Sequence, residues 1–349
     1  MEYEDRQLRQ RRIRKNIKRA RRRQRLHILL MFLLSVFIIF CATRLIPIFA
    51  EVRNYVTTVL LPLQPLMASQ EAEQIQHDFF ESEDGLKEET KLESQCVDLR
   101  FIPTYALDEL LIRHGDNLSV FYKNLETGFI YRYNADRVYF SASVTKASYA
   151  LYLYQLAEKG IIDLNSRHTF TYADANWGSG IIQRQYEFGA TFTLRELLRL
   201  NLSESDNVAT LMLRRIHGLD GYRSLIAEIG GNPDFIGCRV MNSNLTANEA
   251  GLFAKEIFAY IESGGRYSAE FKAHLLDNQF PFITSDYPIA SKTGWTSPIA
   301  WHEMAIVYAP SPFILVILSE RDGWSDADFA DFAEISLAFQ QFNHKWFVA

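Results

Sequence analysis

Cysteine is scarce in this chain. Its 349 residues hold three, Cys41, Cys96 and Cys238. Cys41 sits inside an apolar run, so only Cys96 and Cys238 remain for a folded body. They either pair in an oxidising compartment or stand as separate thiols, since sequence does not establish proximity. No Cys/His cluster has metal-ligand spacing and the eight histidines are scattered, so neither a metal nor an organic cofactor is implied. Internal repeats and long low-complexity stretches are absent. So is strand–helix alternation, which argues against a parallel doubly wound sheet.

Acidic residues are few at one end. Residues 1–25 carry twelve Lys and Arg against Glu2, Glu4 and Asp5, a balance of +9, which leaves −14 for the rest of a chain whose total is −5. A basic end beside an acidic body marks a tail or a topology signal. Charge then disappears from Ile28 to Thr43, and after Arg44 the run Leu45–Ala50 is apolar again. Spanning a bilayer takes about 20 residues. With Arg44 snorkelling, residues 26–50 suffice as a single-pass anchor. The preceding arginines favour a cytoplasmic N-terminus and a body outside. A cleaved signal peptide is the competing reading, but the charged region is long for one and no clear small-x-small site follows. Residues 51–100 read as a juxtamembrane segment and an acidic stalk. The folded domain is expected over 101–349. The acidity of this body makes its aromatic residues core and cleft wall rather than a nucleic-acid surface.

Within that domain a helix is expected over Tyr105–His114, with strands over Leu118–Lys123 and Phe129–Tyr133 around the turn Asn124–Gly128. Ser143–Lys159 reads as a helix stopped by Gly160. Capping boxes at Thr193–Glu196 and Thr246–Glu249 open helices to Leu200 and about Ser263. Val208–His217 and Tyr222–Ile229 are further helices. Strand patterns return at Ile289–Lys292, Trp301–Tyr308 and Phe313–Ser319, and Ser325 caps a last helix. This order specifies an α+β fold, an antiparallel sheet built from both ends of the domain, flanked by helices and carrying a helical subdomain.

Three short motifs carry possible chemistry. Ser143-Val-Thr-Lys146 puts a hydroxyl and an amine on one face of a helical turn. Serine needs a base to become a nucleophile, and lysine is a base only where burial or a neighbouring cation lowers its pKa. A surface cap with a solvated lysine is the bland alternative. Ser205-Asp-Asn207 offers a second hydroxyl to relay a proton and an amide to bind a carbonyl or fix the lysine; alone it is equally an ordinary N-cap. Lys292-Thr-Gly294 lies on a strand. Lys292 and Thr293 could hold a carboxylate, Gly294 admits a ligand against the backbone, and the Trp295 N–H could serve an oxyanion. A strand end with a glycine turn is the plain reading.

Taken in this order the three motifs resemble the serine superfamily of class A β-lactamases and penicillin-binding proteins. The likeness runs from about Phe101 to Ala349. It extends to Trp177-Gly-Ser-Gly180 with Phe192-Thr-Leu-Arg-Glu196, and to His302-Glu303 with Ala305-Ile-Val-Tyr308. The resemblance implies acylation of Ser143, with Lys146 as base or part of the base relay. It implies proton transfer through Ser205, amide binding by Asn207, carboxylate binding by Lys292 and Thr293, and an oxyanion hole from the N–H groups of Ser143 and Trp295. The implied partners are a β-lactam or a D-Ala-D-Ala-type cell-wall peptide, at the outer face of a bacterial membrane.

One family feature is missing. Class A β-lactamases carry a loop glutamate that positions the deacylating water, yet Gly230 to Leu245 contains none. Glu228 falls on the preceding helix, and Glu249 is explained by its capping box. Asn242, Ser243 and Asn244 are left as loop residues or water ligands, and none is a general base at neutral pH. Acylation is therefore expected and fast β-lactam turnover is not. A poorly turning-over sensor of β-lactam or muropeptide is the alternative function, and a non-catalytic relic the third.

Overall fold

Both faces of the central strands are apolar, and this determines the architecture. The computed structural model describes residues 99–237, 243–321 and 325–348. In chain order the elements are α1 (Tyr105–His114), β1 (Leu118–Asn124), β2 (Ile130–Tyr133), β3 (Tyr139–Phe140), α2 (Lys146–Glu158), β4 (Arg167–Thr169), α3 (Ile182–Gln185), β5 (Thr191–Thr193), α4 (Leu194–Ser203), α5 (Asn207–His217), α6 (Asp220–Glu228), β6 (Asn244–Leu245), α7 (Ala247–Glu262), α8 (Ser268–Leu276), β7 (Ile289–Thr296), β8 (Ala300–Val307), β9 (Phe313–Ser319) and α9 (Asp326–Phe347). The main sheet has the order β2-β1-β9-β8-β7 and is antiparallel throughout. Strands from both ends of the domain meet in it, as the α+β reading expects.

Side chains alternate across a strand, and the two cores follow that alternation. Ile314, Val316 and Leu318 of β9 and Met304 and Ile306 of β8 enter the core beneath the helical subdomain. Phe313, Leu315, Ile317, Trp301, Ala305 and Val307 enter the core shared with α1 and α9. Lys292 pairs with Met304 and Thr293 with Glu303, so Lys292 lies on the helical side of the sheet and Thr293 on the α9 side. α2 runs through the helical core with most of its residues buried, including Lys146 and Ser148; a helix apolar nearly all round is an interior helix.

Both capping boxes form. Thr193 Oγ1 accepts from Glu196 N at 3.1 Å and Thr246 Oγ1 from Glu249 N at 3.1 Å. Three features differ from the sequence reading. Helix α2 begins at Lys146, because Ser143 occupies a turn entered through Ala142 at φ 44°. Helices α3 and α8 and the two small ribbons β3–β6 and β4–β5 were not anticipated. Among the described residues no helix is long and apolar enough to cross a membrane. The expected tail, anchor and nearly all of the stalk, together with Cys41, Cys96, Cys238 and Asn242, lie outside the described residues.

Candidate active site

The site assembles where the start of α2, the turn into α5 and the edge strand β7 meet. Ser143 is half-buried on its turn, which is closed by Lys146 N donating to Ser143 O at 3.2 Å. Lys146 is fully buried. Its Nζ donates to Ser205 O at 2.6 Å and to Asn207 Oδ1 at 2.7 Å, with Ser205 Oγ at 3.4 Å. Burial, and next the charge of Lys292, hold the Lys146 pKa well below the usual lysine range. The shift favours the neutral amine, and a neutral amine is a base.

Ser205 takes φ 51°, a left-handed conformation rare outside glycine. The next residue fixes it. Asp206 is buried, with Oδ1 accepting from Ala209 N at 2.9 Å as the N-cap of α5 and Oδ2 accepting from Ile181 N at 2.7 Å and Ile182 N at 2.8 Å. Gly180 sits against it at φ +106°; a Cβ there would meet the Asp206 carboxyl carbon at 2.2 Å, so only glycine fits. Asn207 N donates to Ser179 O at 2.9 Å, and its amide nitrogen donates to Asn176 Oδ1 at 3.2 Å. Asn207 is thus spent on Lys146 and the Trp177–Gly180 loop together.

Gly294 brings β7 onto the Ser143 turn. A Cβ there would meet Ser141 O at 2.8 Å, Val144 Cγ2 at 2.8 Å and Val144 N at 2.9 Å. The backbone of β7 therefore rests against both flanks of Ser143, with Trp295 one residue further along the same edge. Lys292 lines neither of the two open spaces around Ser143. It is buried with Nζ donating to Thr293 O at 3.0 Å, and burial lowers its pKa to about 7 against the opposing pull of Glu303. Thr293 and Trp295 do line the open space.

Two buried groups on β8, noted from sequence only as part of the likeness, support this arrangement. His302 Nδ1 accepts from Ser319 N at 3.0 Å, so Nε2 carries the proton and donates to Phe140 O at 2.9 Å. Burial pushes its pKa down to about 4, so the ring is a neutral strut between β8 and the strand that leads into Ser143. Glu303 Oε2 accepts from Phe282 N at 2.5 Å and Ile283 N at 2.6 Å. Burial raises its pKa to about 7. Asp206 was legible as an N-cap from its motif, but its second set of donors was not.

Residues 238–242 of the Gly230–Leu245 loop lie outside the described residues, and its end is bound to the segment before Ser143. Ser243 O accepts from Ser141 N at 2.8 Å, and Asn244 pairs with Phe140. Glu249 closes its capping box and takes Asn232 N on Oε1 at 2.9 Å. Among the described residues, His and acidic groups reach metal-ligand spacing at His114, Asp331 and Glu334. There Arg321 pairs with Asp331 and Arg113 pairs with Glu334, so the charge is already balanced.

Residues 103–342 match the sequence model of the beta-lactamase enzyme family. A beta-lactamase from Sphaerobacter thermophilus superposes with a TM-score of 0.63 at 21% identity, over 70% of this chain and 98% of that one. One from Chitinophaga pinensis gives 0.59 at 19% identity, over 68% and 97%. A mutant of PBP-A, solved as an acyl-enzyme complex with penicillin G, gives 0.58 at 18%, over 69% and 97%. At these identities the likeness is one of fold. No curated protein matches the chain.

Proposed function

Because the chain belongs to the beta-lactamase enzyme family, a family of serine hydrolases, we propose that it forms an acyl-enzyme at Ser143 with a β-lactam or a D-Ala-D-Ala-type peptide. The observation that carries this reading is the convergence on one turn. The Lys146 amine is held by Ser205 and Asn207 while Gly294 rests on Ser141 and Val144. Neutral Lys146 accepts the Ser143 proton as Oγ bonds to the substrate carbonyl carbon. The N–H groups of Ser143 and Trp295 receive the oxyanion. The carbon–nitrogen bond then breaks, and the leaving nitrogen takes its proton from Ser205, which recovers one from Lys146. Lys292, behind Thr293, supplies positive charge toward a substrate carboxylate.

Water completes hydrolysis by giving hydroxide to the acyl carbon and a proton back to Ser143. Glu249 is committed to its cap and the Gly230–Leu245 loop carries no carboxylate beyond Asp234, so this second step is slow for a β-lactam. Residues 1–25 and 26–50 act as cytoplasmic tail and single-pass anchor, which holds the hydrolase domain on the outer face of the membrane, near cell-wall peptides.

Fluorescent penicillin tests the reading. The wild-type chain takes up a stable covalent label and Ser143→Ala takes up none. Equal labelling of Ser143→Ala removes Ser143 as nucleophile, and rapid loss of the label from wild type removes the slow second step.

A further inference from the structure

We propose that the leaving portion of the substrate carries a bulky apolar or aromatic group, received by an aromatic pocket beside Ser205; this rests on the reading of Ser205 as proton donor to the leaving nitrogen. The pocket has a volume of about 400 Å³. Its walls are Phe280, Phe282, Trp295, Trp301 and Phe329, and it opens directly onto Ser143, Ser205 and Thr293.

The position of Ser205 assigns the side. A second, wider space of about 820 Å³ also meets Ser143 and shares Ser179, Phe280 and Trp295 with the first, but Phe140, Ala142 and Asn207 line it and Ser205 does not. A scissile amide held at Ser143 has its nitrogen toward the group that protonates it. The leaving half therefore enters the aromatic pocket, and the acyl half lies in the wider cleft, under the exposed Trp177.

The chemistry of the walls names the occupant. No charged side chain lines the pocket among the described residues, so beyond its Thr293 end, where Lys292 lies behind the strand and the α-carboxylate is received, an ionic side chain would be desolvated without a counter-charge. Aromatic faces and edges are presented instead. Phe282 and Trp301 stack with centroids 3.7 Å apart and form the buried floor. Phe329 and Trp295 stand edge-on to Trp301 at 5.0 and 6.3 Å. Phe280, Trp295 and Phe329 are 54%, 42% and 45% exposed, an apolar rim that marks a ligand surface rather than core. A ring covers a large part of these aromatic walls, whereas the methyl group of a terminal D-alanine leaves nearly all of the space to water. The floor is also fixed beforehand. Glu303, two residues along β8 from Trp301, accepts the N–H groups of Phe282 and Ile283 and so ties both stacked rings to one strand, which reduces the ordering cost of binding.

Two peptides with the same acyl half, one ending in D-Ala-D-Ala and one in D-Ala-D-Phe, test this on the full chain. Release of D-phenylalanine should exceed release of D-alanine by at least about tenfold in kcat/KM. Phe329→Ala, at a half-exposed position that lines the aromatic pocket and not the wider cleft, should bring that ratio toward one. Equal kcat/KM for the two peptides in wild type overturns the pocket and leaves the Ser143 acyl-enzyme standing. Affinity of the Ser143→Ala chain for the two peptides, followed by tryptophan fluorescence, separates the pocket from the chemistry. Equal affinity overturns the pocket even where no turnover occurs. A preference for the phenyl peptide, in a chain whose wild type takes no penicillin label, overturns the Ser143 reading and with it the leaving-side assignment.

Discussion

Replacing Gly294 by alanine isolates the contact between β7 and the Ser143 turn. The added Cβ would lie 2.8 Å from Ser141 O, 2.8 Å from Val144 Cγ2 and 2.9 Å from Val144 N, where ordinary contact begins at 3.4 Å. Two of these three atoms are backbone, so side-chain rotation cannot relieve them. The strand and the turn must separate by roughly 0.6 Å, because repulsion rises steeply inside the van der Waals minimum. Overpacking of this kind costs about 1–3 kcal/mol, which for a domain of this size lowers Tm by about 2–10 °C. Catalysis should suffer as well. A 1 Å misplacement costs about a hundredfold, so a shift of roughly 0.6 Å costs somewhat less. Acylation by fluorescent penicillin, followed by stopped flow, should therefore slow by about ten- to a hundredfold in Gly294→Ala while a cooperative melt persists. Wild-type acylation in a variant with an ordinary melt would refute the premise that this backbone contact sets the geometry around Ser143.

Two further outcomes follow from the buried charges. Acylation should rise with pH as Lys146, whose pKa burial depresses, loses its proton. It should fall again above about 7 as Lys292 becomes neutral and stops attracting the substrate carboxylate. A β-lactam whose carboxylate is masked as a methyl ester should lack the alkaline decline, and a decline that persists with the ester removes Lys292 from carboxylate binding. Asp206→Ala should leave the N–H groups of Ile181, Ile182 and Ala209 without their acceptor, at about 1–3 kcal/mol each before relaxation. Urea unfolding should show a loss of about 3–5 kcal/mol, and a loss below about 1 kcal/mol would show that Asp206 does not hold the Trp177–Gly180 loop to α5.

The elements legible in the sequence are those whose signal is local. Thr193 with Glu196 and Thr246 with Glu249 close on themselves, so the capping boxes located α4 and α7 to a residue at their N-termini. The strands β8 and β9 read as strands because each is short, apolar and bounded by turns. Helix α8 escaped notice because it opens at Tyr267 without a side-chain cap and buries only Ser268, Phe271 and Leu275. The ribbons β3–β6 and β4–β5 are two or three residues long, and partners far away in the chain create them. At the site, the motifs that hold the reactive groups were visible as residue types. What fixes them was not. His302 and Glu303 are fully buried polar residues in an otherwise apolar strand, and their partners Phe140, Phe282 and Ile283 lie about 20 to 160 residues away. No local pattern reports a partner at that separation.

The same long-range contacts explain how two unfavourable backbone conformations persist. Ala142, directly before Ser143, and Ser205 take φ 44° and 51°. A side chain in this region costs about 1–2 kcal/mol. Neither position is glycine, so the surroundings must hold them there. Around Ala142, Ser141 N is bonded to Ser243 O, the His302 ring is bonded to Phe140 O, and Gly294 closes over the turn. Around Ser205, Lys146 binds its carbonyl, and Asp206 pins the following residue with three backbone donors. Of the three non-glycine residues with positive φ among the described residues, Asn134, at φ 47°, lies away from the site, and the other two precede Ser143 and present the Ser205 carbonyl to Lys146. The clamps that hold these two residues are buried, and none of them has to move during acyl transfer. A site of this kind enters the reaction already oriented, so the binding energy of the substrate is left for the transition state rather than for organising the enzyme.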